Sequence, residues 1–156
     1  SRMNAAATNA GGWEKSELRQ KMNSGEIWNL MPTDFQSKVK PVRKLTNNVN
    51  GTDKNAAVTA TSDKLFLLSY SEIVPTSYWA SSYPWTSSEG SQYEAFKGKV
   101  TNNHSRNDYL KSSKEWWQRS ASVNDSIAFR FISTDGEPTW DSSASQSQDV
   151  CPAWCF

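Results

Sequence analysis

The segment Trp116-Trp117-Gln118-Arg119-Ser120 opens the C-terminal quarter of the chain, and Val150-Cys151-Pro152-Ala153-Trp154-Cys155-Phe156 closes it. Both ends of this stretch are rich in aromatic residues, whereas the residues between them are mostly small and polar. Aromatic side chains bury large areas and dominate core energetics. We therefore expect the two ends to form framework and the middle to form a displayed surface, which the rest of the chain supports.

The composition predicts one domain with a lean core. The chain has 156 residues, of which 36% are hydrophobic, and a mean hydropathy of -0.74. That length allows a sizeable core, to which eight Trp, five Tyr and six Phe can contribute. A net charge of +1, with both signs interspersed, gives no electrostatic case for nucleic acid or an anionic membrane. We recognise no membrane-span pattern and no signal peptide.

The N-terminal part of the chain predicts short helices. Trp13, Leu18 and Met22 are spaced as the apolar face of an amphipathic helix over residues 13–23. A second short helix is predicted to begin at Pro32-Thr33-Asp34, with Thr33 as its cap.

Strands are predicted from the next apolar runs. Residues 42–46 are predicted to form one strand, followed by a polar turn around Asn50-Gly51. Lys64-Leu65-Phe66-Leu67-Leu68 is the most hydrophobic run and predicts a buried central strand. The pattern as a whole predicts an α+β fold, with short helices followed by an irregular, loop-rich, mostly antiparallel sheet.

The C-terminal part predicts another strand and a turn. Phe129 and Phe131 alternate with Arg130, so the two Phe side chains are expected to face the core and Arg130 to face outward. Gly136 is expected to supply a positive φ in the turn that follows. Trp116, Trp117 and Trp154 are assigned to the core, and Arg119 is predicted to donate hydrogen bonds to backbone carbonyls.

Several motifs occur in a recognisable order along the chain. They are Gly11-Gly12-Trp13-Glu14 with Ser16 and Leu18-Arg19, Lys40-Pro41-Val42, Thr61-Ser62-Asp63-Lys64-Leu65-Phe66-Leu67-Leu68-Ser69, Glu89-Gly90-Ser91-Gln92-Tyr93, and the two aromatic ends quoted above. Together they resemble a family of bacterial and phage surface domains named only as a domain of unknown function, DUF6273. The resemblance spans nearly the whole chain. The strands that usually precede this region are not recognised, so we expect a single domain over residues 1–156, truncated at its N-terminus.

The Trp-Trp-x-Arg-Ser start and the Val-x-Pro-Ala-Trp ending are also similar to those of domains with a C-type lectin fold. Such domains include the variable proteins of diversity-generating retroelements, in which adenine-directed mutagenesis scatters substitutions over the last strands and loops. There the variable side chains are displayed on a stable backbone and bind ligands. The resemblance implies a C-type-lectin-like fold in which residues 116–156 are a variable, ligand-displaying region.

The resemblance marks a set of ligand-binding residues in this region. They are Val123, Asp125, Ile127, Arg130, Asp135, Glu137, Thr139, Trp140, Asp141, Gln146 and Gln148. They are interleaved with steadier positions, which are Ser126, Phe129, Gly136, Ala144, Ser145 and Ser147. Such interleaving is what a diversified surface on a fixed scaffold would show.

The function implied is a receptor- or adhesin-type binding domain on a bacterial cell surface or a phage particle. Its partner would be a protein or glycan on a cell surface, with no nucleic acid and no direct membrane insertion. One alternative is a structural stalk or adhesin repeat without diversified binding. Another is an enzyme related to the formylglycine-generating type, which would need a reactive cysteine pair in a cleft. We expect no enzyme activity.

Glu137-Pro138-Thr139 and Trp140-Asp141 resemble the calcium- and sugar-binding tripeptides of classical C-type lectins. Such a site needs several carboxylate and amide oxygens around one cation. The expected Asn residues are missing, and the two motifs are adjacent rather than a hairpin apart. We therefore interpret them as a displayed acidic loop and expect no metal and no cofactor.

Several side chains allow two interpretations. Trp140 is either an exposed binding anchor or folded onto the core, and Arg130 is either a binding contact or a solvated residue. The loop aromatics Tyr78, Trp79, Tyr83 and Trp85 form either a carbohydrate-stacking platform or a satellite core. His104, the only histidine, has no nucleophile placed with it by the sequence.

Cys151 and Cys155 are expected to be small buried hydrophobes at the end of a strand. In an extended segment their Cα atoms would lie roughly 13 Å apart, beyond disulfide reach. A disulfide would need a tight loop at Pro152, and a reactive pair is the third alternative.

Overall fold

Six short α-helices, one 3₁₀ helix (Asp108–Leu110) and five short strands make up the computed structural model, which describes residues 1–156. The helices are α1 (Gly12–Lys15), α2 (Glu17–Asn23), α3 (Glu26–Asn29), α4 (Thr33–Lys38), α5 (Tyr70–Ile73) and α6 (Trp85–Ser88). The strands are β1 (Val42–Asn47), β2 (Val58–Asp63), β3 (Trp116–Ala121), β4 (Ala128–Ile132) and β5 (Trp140–Ser143). The predicted α+β class is confirmed. The longest helix, α2, has seven residues, so no helix has the length and apolar character of a membrane span.

The predicted helix over residues 13–23 is divided at Ser16. Ser16 has an extended backbone, and its side-chain oxygen accepts a hydrogen bond from the backbone N–H of Arg19, so it caps α2. Trp13, Leu18 and Met22 are all buried, as predicted. In α4 the predicted cap Thr33 is instead the first helical residue, and Pro32 occupies the cap position without a side-chain bond.

The first sheet is a hairpin of β1 and β2, which pair antiparallel from Val42 opposite Asp63 to Asn47 opposite Val58. The strand predicted at 42–46 is confirmed. The strand predicted at 64–68 is wrong, because that run forms only an isolated bridge, between Phe66 and Ala153. Leu65, Phe66 and Leu67 are buried as expected, and Leu68 is half-buried. Its backbone carbonyls are used differently, since those of Leu67 and Leu68 accept hydrogen bonds from Arg119.

The second sheet has the order β3-β4-β5 and is antiparallel throughout. Phe129 and Phe131 pack with Trp117 in a core of twelve buried residues that also includes Trp13 and Leu65. The opposite face of β4 is covered as well. Because both faces are buried, every residue of β4 is buried.

The covered second face explains why the outward position predicted for Arg130 is wrong. Ile132 belongs to a smaller core that includes Tyr70 of α5. The guanidinium carbon of Arg130 lies 3.4 Å from the ring centroid of Trp79, in the loop that follows α5. Strict alternation between core and solvent holds only where one face of a sheet is open to water.

The turn between β4 and β5 follows the sequence prediction. Gly136 has a φ of 80°, and a Cβ built there would lie 2.1 Å from the backbone oxygen of Asn107. Both the backbone conformation and the close approach require glycine.

A buried ion cluster joins the two sheets, with Arg119 of β3 at its centre. The guanidinium donates to both carboxylate oxygens of Glu72, at 2.5 and 3.0 Å. It also donates to the carbonyls of Leu45, Leu67 and Glu89, at 3.2, 2.9 and 2.9 Å. The predicted role of Arg119 as a donor to backbone carbonyls is confirmed.

The two carboxylates of this cluster have opposite pKa shifts. Burial raises the pKa of Glu72, but the charges of Arg119 and Lys44 outweigh burial and leave this pKa below its usual value. Lys44 Nζ lies 2.6 Å from Glu72 Oε1. Burial raises the pKa of Glu89, and there the opposing effects of Arg119, Ser120 and Asn47 do not overcome it.

These shifts predict opposite effects for Glu72→Gln and Glu89→Gln. Glu72→Gln leaves Arg119 and Lys44 without their carboxylate and should lower the free energy of unfolding at pH 7 by about 3–5 kcal/mol. Glu89→Gln removes a charge that the fold disfavours and should not lower it. Urea unfolding of both variants measures the difference, with the exposed Glu94→Gln as a surface control.

The pH dependence of the same variants follows from the signs of the shifts. Glu72 contributes stability above its unfolded pKa of 4.5, and this contribution is lost as the pH falls through the lower folded pKa. Glu89 costs stability as the pH rises from 4.5 through its raised folded pKa. The unfolding free energies of wild type and Glu72→Gln should therefore converge as the pH falls below the folded pKa of Glu72. A constant gap down to low pH would contradict the assignment.

Candidate ligand-binding surface

The predicted ligand-binding residues divide into three groups by exposure. Five are exposed, namely Asp125, Ile127, Asp135, Trp140 and Gln146. Four are half-buried, namely Glu137, Thr139, Asp141 and Gln148. Val123 and Arg130 are buried, with 0% and 1% of their surface exposed. The expectation that these two side chains are displayed is wrong.

Arg130 lies beneath the surface, between the second sheet and the loop after α5. Its Nη1 donates to the carbonyl of Thr139 at 3.0 Å and lies 3.7 Å from Asp141 Oδ1. Burial lowers the pKa of Arg130 and raises that of Asp141, while the attraction between the two charges opposes both shifts. Arg130 Nη2 and Asp141 Oδ1 have no hydrogen-bond partner. Both interpretations of Arg130 are therefore wrong, since a buried guanidinium neither contacts a ligand directly nor lies in solvent.

Trp140 takes the exposed one of its two interpretations. It begins β5, pairs with Phe131 of β4 and is 54% exposed. Its ring lies 6.3 Å from that of Phe131, and its indole N–H donates to the Glu137 carboxylate. The strand and this hydrogen bond hold the indole in one orientation on the surface.

The turn that leads to Trp140 is held by its own hydrogen bonds. The Ser133 N–H donates to the carbonyl of Glu137 at 3.1 Å, and the Glu137 N–H donates to Ser133 Oγ at 3.1 Å. From the buried strand β3, Gln118 Nε2 donates to the carbonyl of Pro138 at 2.8 Å. The backbone beneath the exposed side chains is therefore fixed from below.

Residues from two other loops extend this surface. Thr139 Oγ1 donates to the carbonyl of His104 at 3.3 Å, and Arg106 lies 3.3 Å from Asp135 in an exposed ion pair. The His104 ring stacks on Tyr78, with centroids 4.2 Å apart and planes within 8° of parallel. We call this set the display surface; it comprises Tyr78, His104, Arg106, Asp135, Glu137, Thr139 and Trp140.

The sequence patterns do not predict that Tyr78, His104 and Arg106 lie on this surface. The sequence signals at these residues are local, since Tyr78 belongs to the aromatic loop and a single histidine such as His104 suggests only a catalytic role. These residues lie beside β5 because of contacts between residues far apart in the chain, and local sequence patterns do not predict such contacts.

The remaining predicted residues lie around the display surface rather than in it. Ser122 Oγ donates to Asp141 Oδ2 at 2.8 Å and accepts from the backbone N–H of Asp125, which ties the β3–β4 turn to β5. Gln148 Nε2 contacts Ser142 Oγ at 3.4 Å, and its backbone pairs with Ser1. Gln148 therefore lies toward the other end of β5.

The loop aromatics mostly take the satellite-core interpretation. Trp85 is buried, and its indole N–H donates to the carbonyl of Asp53 at 3.2 Å. Trp79 packs against the smaller core, with its ring centroid 5.1 Å from that of Tyr70. Only Tyr78, which is exposed, belongs to the display surface.

The C-terminal end differs from its prediction. Trp117 is buried as expected, but Trp154 is 42% exposed, so its assignment to the core is wrong. Cys151 and Cys155 are free and exposed, which corrects their interpretation as buried hydrophobes. The physical reason is that this segment lies along the outside of the molecule and bonds to it through alternate residues only. No group of three or more His, Cys, Asp or Glu side chains is placed to hold a metal ion.

Fold and surface together define a small α+β domain that presents polar and aromatic side chains from the edge of an antiparallel sheet. The chain belongs to the DUF6273 family, described as a domain of unknown function, whose model matches residues 1–156. Comparison with curated proteins gives no match, and comparison with solved structures gives none.

The exposure of these residues predicts which substitutions the fold tolerates. Arg130→Ala leaves the half-buried Asp141 without its cation and Trp79 without its stacking partner, so it should cost about 3 kcal/mol or more of unfolding free energy. Trp140→Ala should cost less than about 1 kcal/mol, because its side chain is largely in solvent. Urea unfolding of both variants, with exposed Tyr109→Ala as a control, measures this. Equal costs for Arg130 and Trp140 would contradict it.

Proposed function

We propose that this chain is a ligand-binding module with a C-type-lectin-like fold, whose display surface contacts a protein or a glycan on a cell surface. The observation that carries the proposal is Trp140, a large aromatic side chain held in solvent at the edge of a buried sheet. An aromatic residue in this position is the usual anchor of a binding interface.

The chemistry of the surrounding residues supports the same class of partner. Tyr78 and His104 offer a second aromatic face, and Glu137, Asp135 and Arg106 place charges of both signs beside it. Aromatic faces stack on sugar rings or on protein side chains, while charged rims give orientation. Because the turn and strand are already fixed by hydrogen bonds, little ordering entropy would be lost on binding.

The proposal includes diversification by a retroelement of the solvent-facing positions within residues 116–156. Its support is the separation between exposed and buried positions in the C-terminal region. Residues 124–127 and Asp135 point to solvent, whereas Phe129, Phe131 and Ala144 are buried. Substitution at the exposed positions leaves the core unchanged. Val123 and Arg130 are excluded from the variable set that we propose, because their side chains are part of the interior.

The location proposed is a bacterial cell surface or a phage particle. It rests on the resemblance of the chain's motifs to surface domains of its family. A structural stalk or adhesin repeat would place the same domain at the same location without selection for a changing surface.

Binding is tested by applying labelled wild-type protein to a glycan array and to panels of whole bacterial cells. Trp140→Ala and the double variant Glu137→Ala/Trp140→Ala should lose about tenfold or more in apparent affinity, the effect of removing an aromatic anchor. Tyr109→Ala, an exposed aromatic outside the display surface, should bind as wild type does. Equal losses for Tyr109 and Trp140, or unchanged binding by both, would remove the display surface from the proposal.

Diversification is tested by sequencing this gene from several isolates. Substitutions should concentrate at exposed positions such as Asp125, Ile127, Asp135 and Trp140, while Val123 and Arg130 stay fixed. A nearby reverse-transcriptase gene with a near-identical template repeat should accompany them. Substitutions spread evenly along the chain would favour the structural stalk instead.

A further inference from the structure

The C-terminal segment exposes a cluster of aromatic side chains away from the display surface. Trp154 and Phe156 are 42% and 64% exposed, and both pack edge-on against Phe35 of α4, with ring centroids 5.2 and 5.8 Å away. The two rings lie 6.3 Å from each other. A contiguous exposed apolar cluster of this kind marks an interaction surface.

The backbone of the same segment has one bonded edge and one open edge. Ala153 exchanges two hydrogen bonds with Phe66, at 3.0 and 2.8 Å, and the carbonyl of Cys155 accepts from the N–H of Lys40 at 2.9 Å. In an extended strand, alternate residues direct their peptide groups to opposite edges. Trp154 and the Phe156 N–H therefore face outward, and neither bonds within the chain. An open strand edge is a template for pairing with another strand.

The register of this open edge suits a second copy of itself. In a two-fold antiparallel pairing, Trp154 of one copy would exchange hydrogen bonds with Phe156 of the other. Cys155 would then lie opposite Cys155 as a non-hydrogen-bonded pair, with Cα atoms about 4.5 Å apart. That separation is within the range of a disulfide, about 4.4–6.8 Å. Cys155 is free and exposed.

The charges beside the aromatic cluster are also self-complementary. Asp34 and Lys38 lie one helical turn apart on α4, on either side of Phe35 in sequence. Both are exposed, and neither forms an ion pair within the chain. A two-fold contact uses the same patch twice, so Asp34 of each copy can face Lys38 of the other. A partner surface that carries charges of only one sign would leave either Asp34 or Lys38 without an opposite charge.

We propose that a second copy of this chain docks on this C-terminal edge, by antiparallel pairing of residues 154–156, with Cys155 on the two-fold axis. The Cys155 thiols can then close an interchain disulfide by exchange with a small disulfide such as oxidised glutathione. Two protein thiols are oxidised, one S–S bond forms between them, and the glutathione S–S bond is reduced to two thiols. The dimer would carry two display surfaces and would therefore bind a multivalent ligand with higher avidity. This gain in avidity rests on the proposed function, whereas the formation of the dimer does not.

The non-covalent dimer is tested by sedimentation velocity in reductant, from micromolar to near-millimolar protein. Wild type should shift from monomer to dimer with concentration. Trp154→Ala removes the ring but keeps the outward N–H, whereas Trp154→Pro removes both and leaves the bonds of Ala153 and Cys155 in place. Proline should weaken the dimer about tenfold or more beyond alanine, because one hydrogen bond is lost in each copy.

A charge exchange tests the same contact without changing the strand. Asp34→Lys should weaken the dimer, since Lys38 of the second copy then faces a like charge. The double variant Asp34→Lys/Lys38→Asp should restore it. Circular dichroism melting confirms that each variant is folded. Failure of the double variant to recover association would overturn the proposed arrangement.

The register is tested with oxidised glutathione and a non-reducing gel. Wild type and Cys151→Ser should form a disulfide-linked dimer, and Cys155→Ser should not. A crosslink that survives Cys155→Ser overturns the register. A wild-type chain that stays monomeric at every concentration overturns the dimer and assigns the aromatic cluster to a different protein. Either outcome leaves the display surface and its binding tests unaffected.

Discussion

The buried Arg119 guanidinium is the contact on which the arrangement of this fold depends. It bonds to β1 through the carbonyl of Leu45, to the irregular run after β2 through Leu67, to α5 through Glu72, and to the end of α6 through the carbonyl of Glu89. None of these segments is long enough to fix its own position. A planar group with five donors can bond several of them at once. Since a buried ion pair adds little net stability compared with apolar packing, we infer that its main effect is to select one arrangement of the segments.

The display surface depends on this cluster through a chain of pairings. Arg119 fixes β3, β3 pairs with β4, and β4 pairs with β5, which presents Trp140 at the open edge of the sheet. Arg130 closes the other face of β4 against Trp79, so the sheet is covered on both sides. The exposed side chains are therefore supported by a backbone that does not depend on their identity. A surface of this kind can change its residues while its geometry stays constant.

How much the sequence could predict depended on the range of the interactions involved. The α+β class, β1, β4 and the Gly136 turn follow from local patterns, and the structure has all of them. The apolar run at 64–68 predicts a strand, but a short apolar run does not reveal what its carbonyls bond to. Alternation predicts Arg130 in solvent because it assumes one open face of the sheet, whereas a distant loop covers that face. The contact of His104 with Thr139 is not predicted either, because the two residues are far apart in the sequence. Each of these three errors concerns a partner far away in the sequence, whereas the misplaced cap at Thr33 is a local error of one residue.

The two aromatic ends of the C-terminal region show what composition alone can and cannot establish. Trp117 lies in a strand that other elements cover on both sides, so its ring is buried. Trp154 lies in a segment that bonds to the chain through one edge only, so its ring remains exposed beside Phe35. In both cases the aromatic side chain offers a large apolar area for contact. Whether that area is covered by the same chain depends on where the neighbouring backbone lies. For Trp117 the contact is inside the chain. For Trp154 the unpaired edge, the unpaired charges of α4 and the exposed Cys155 are all free for the contact with a second copy that we propose.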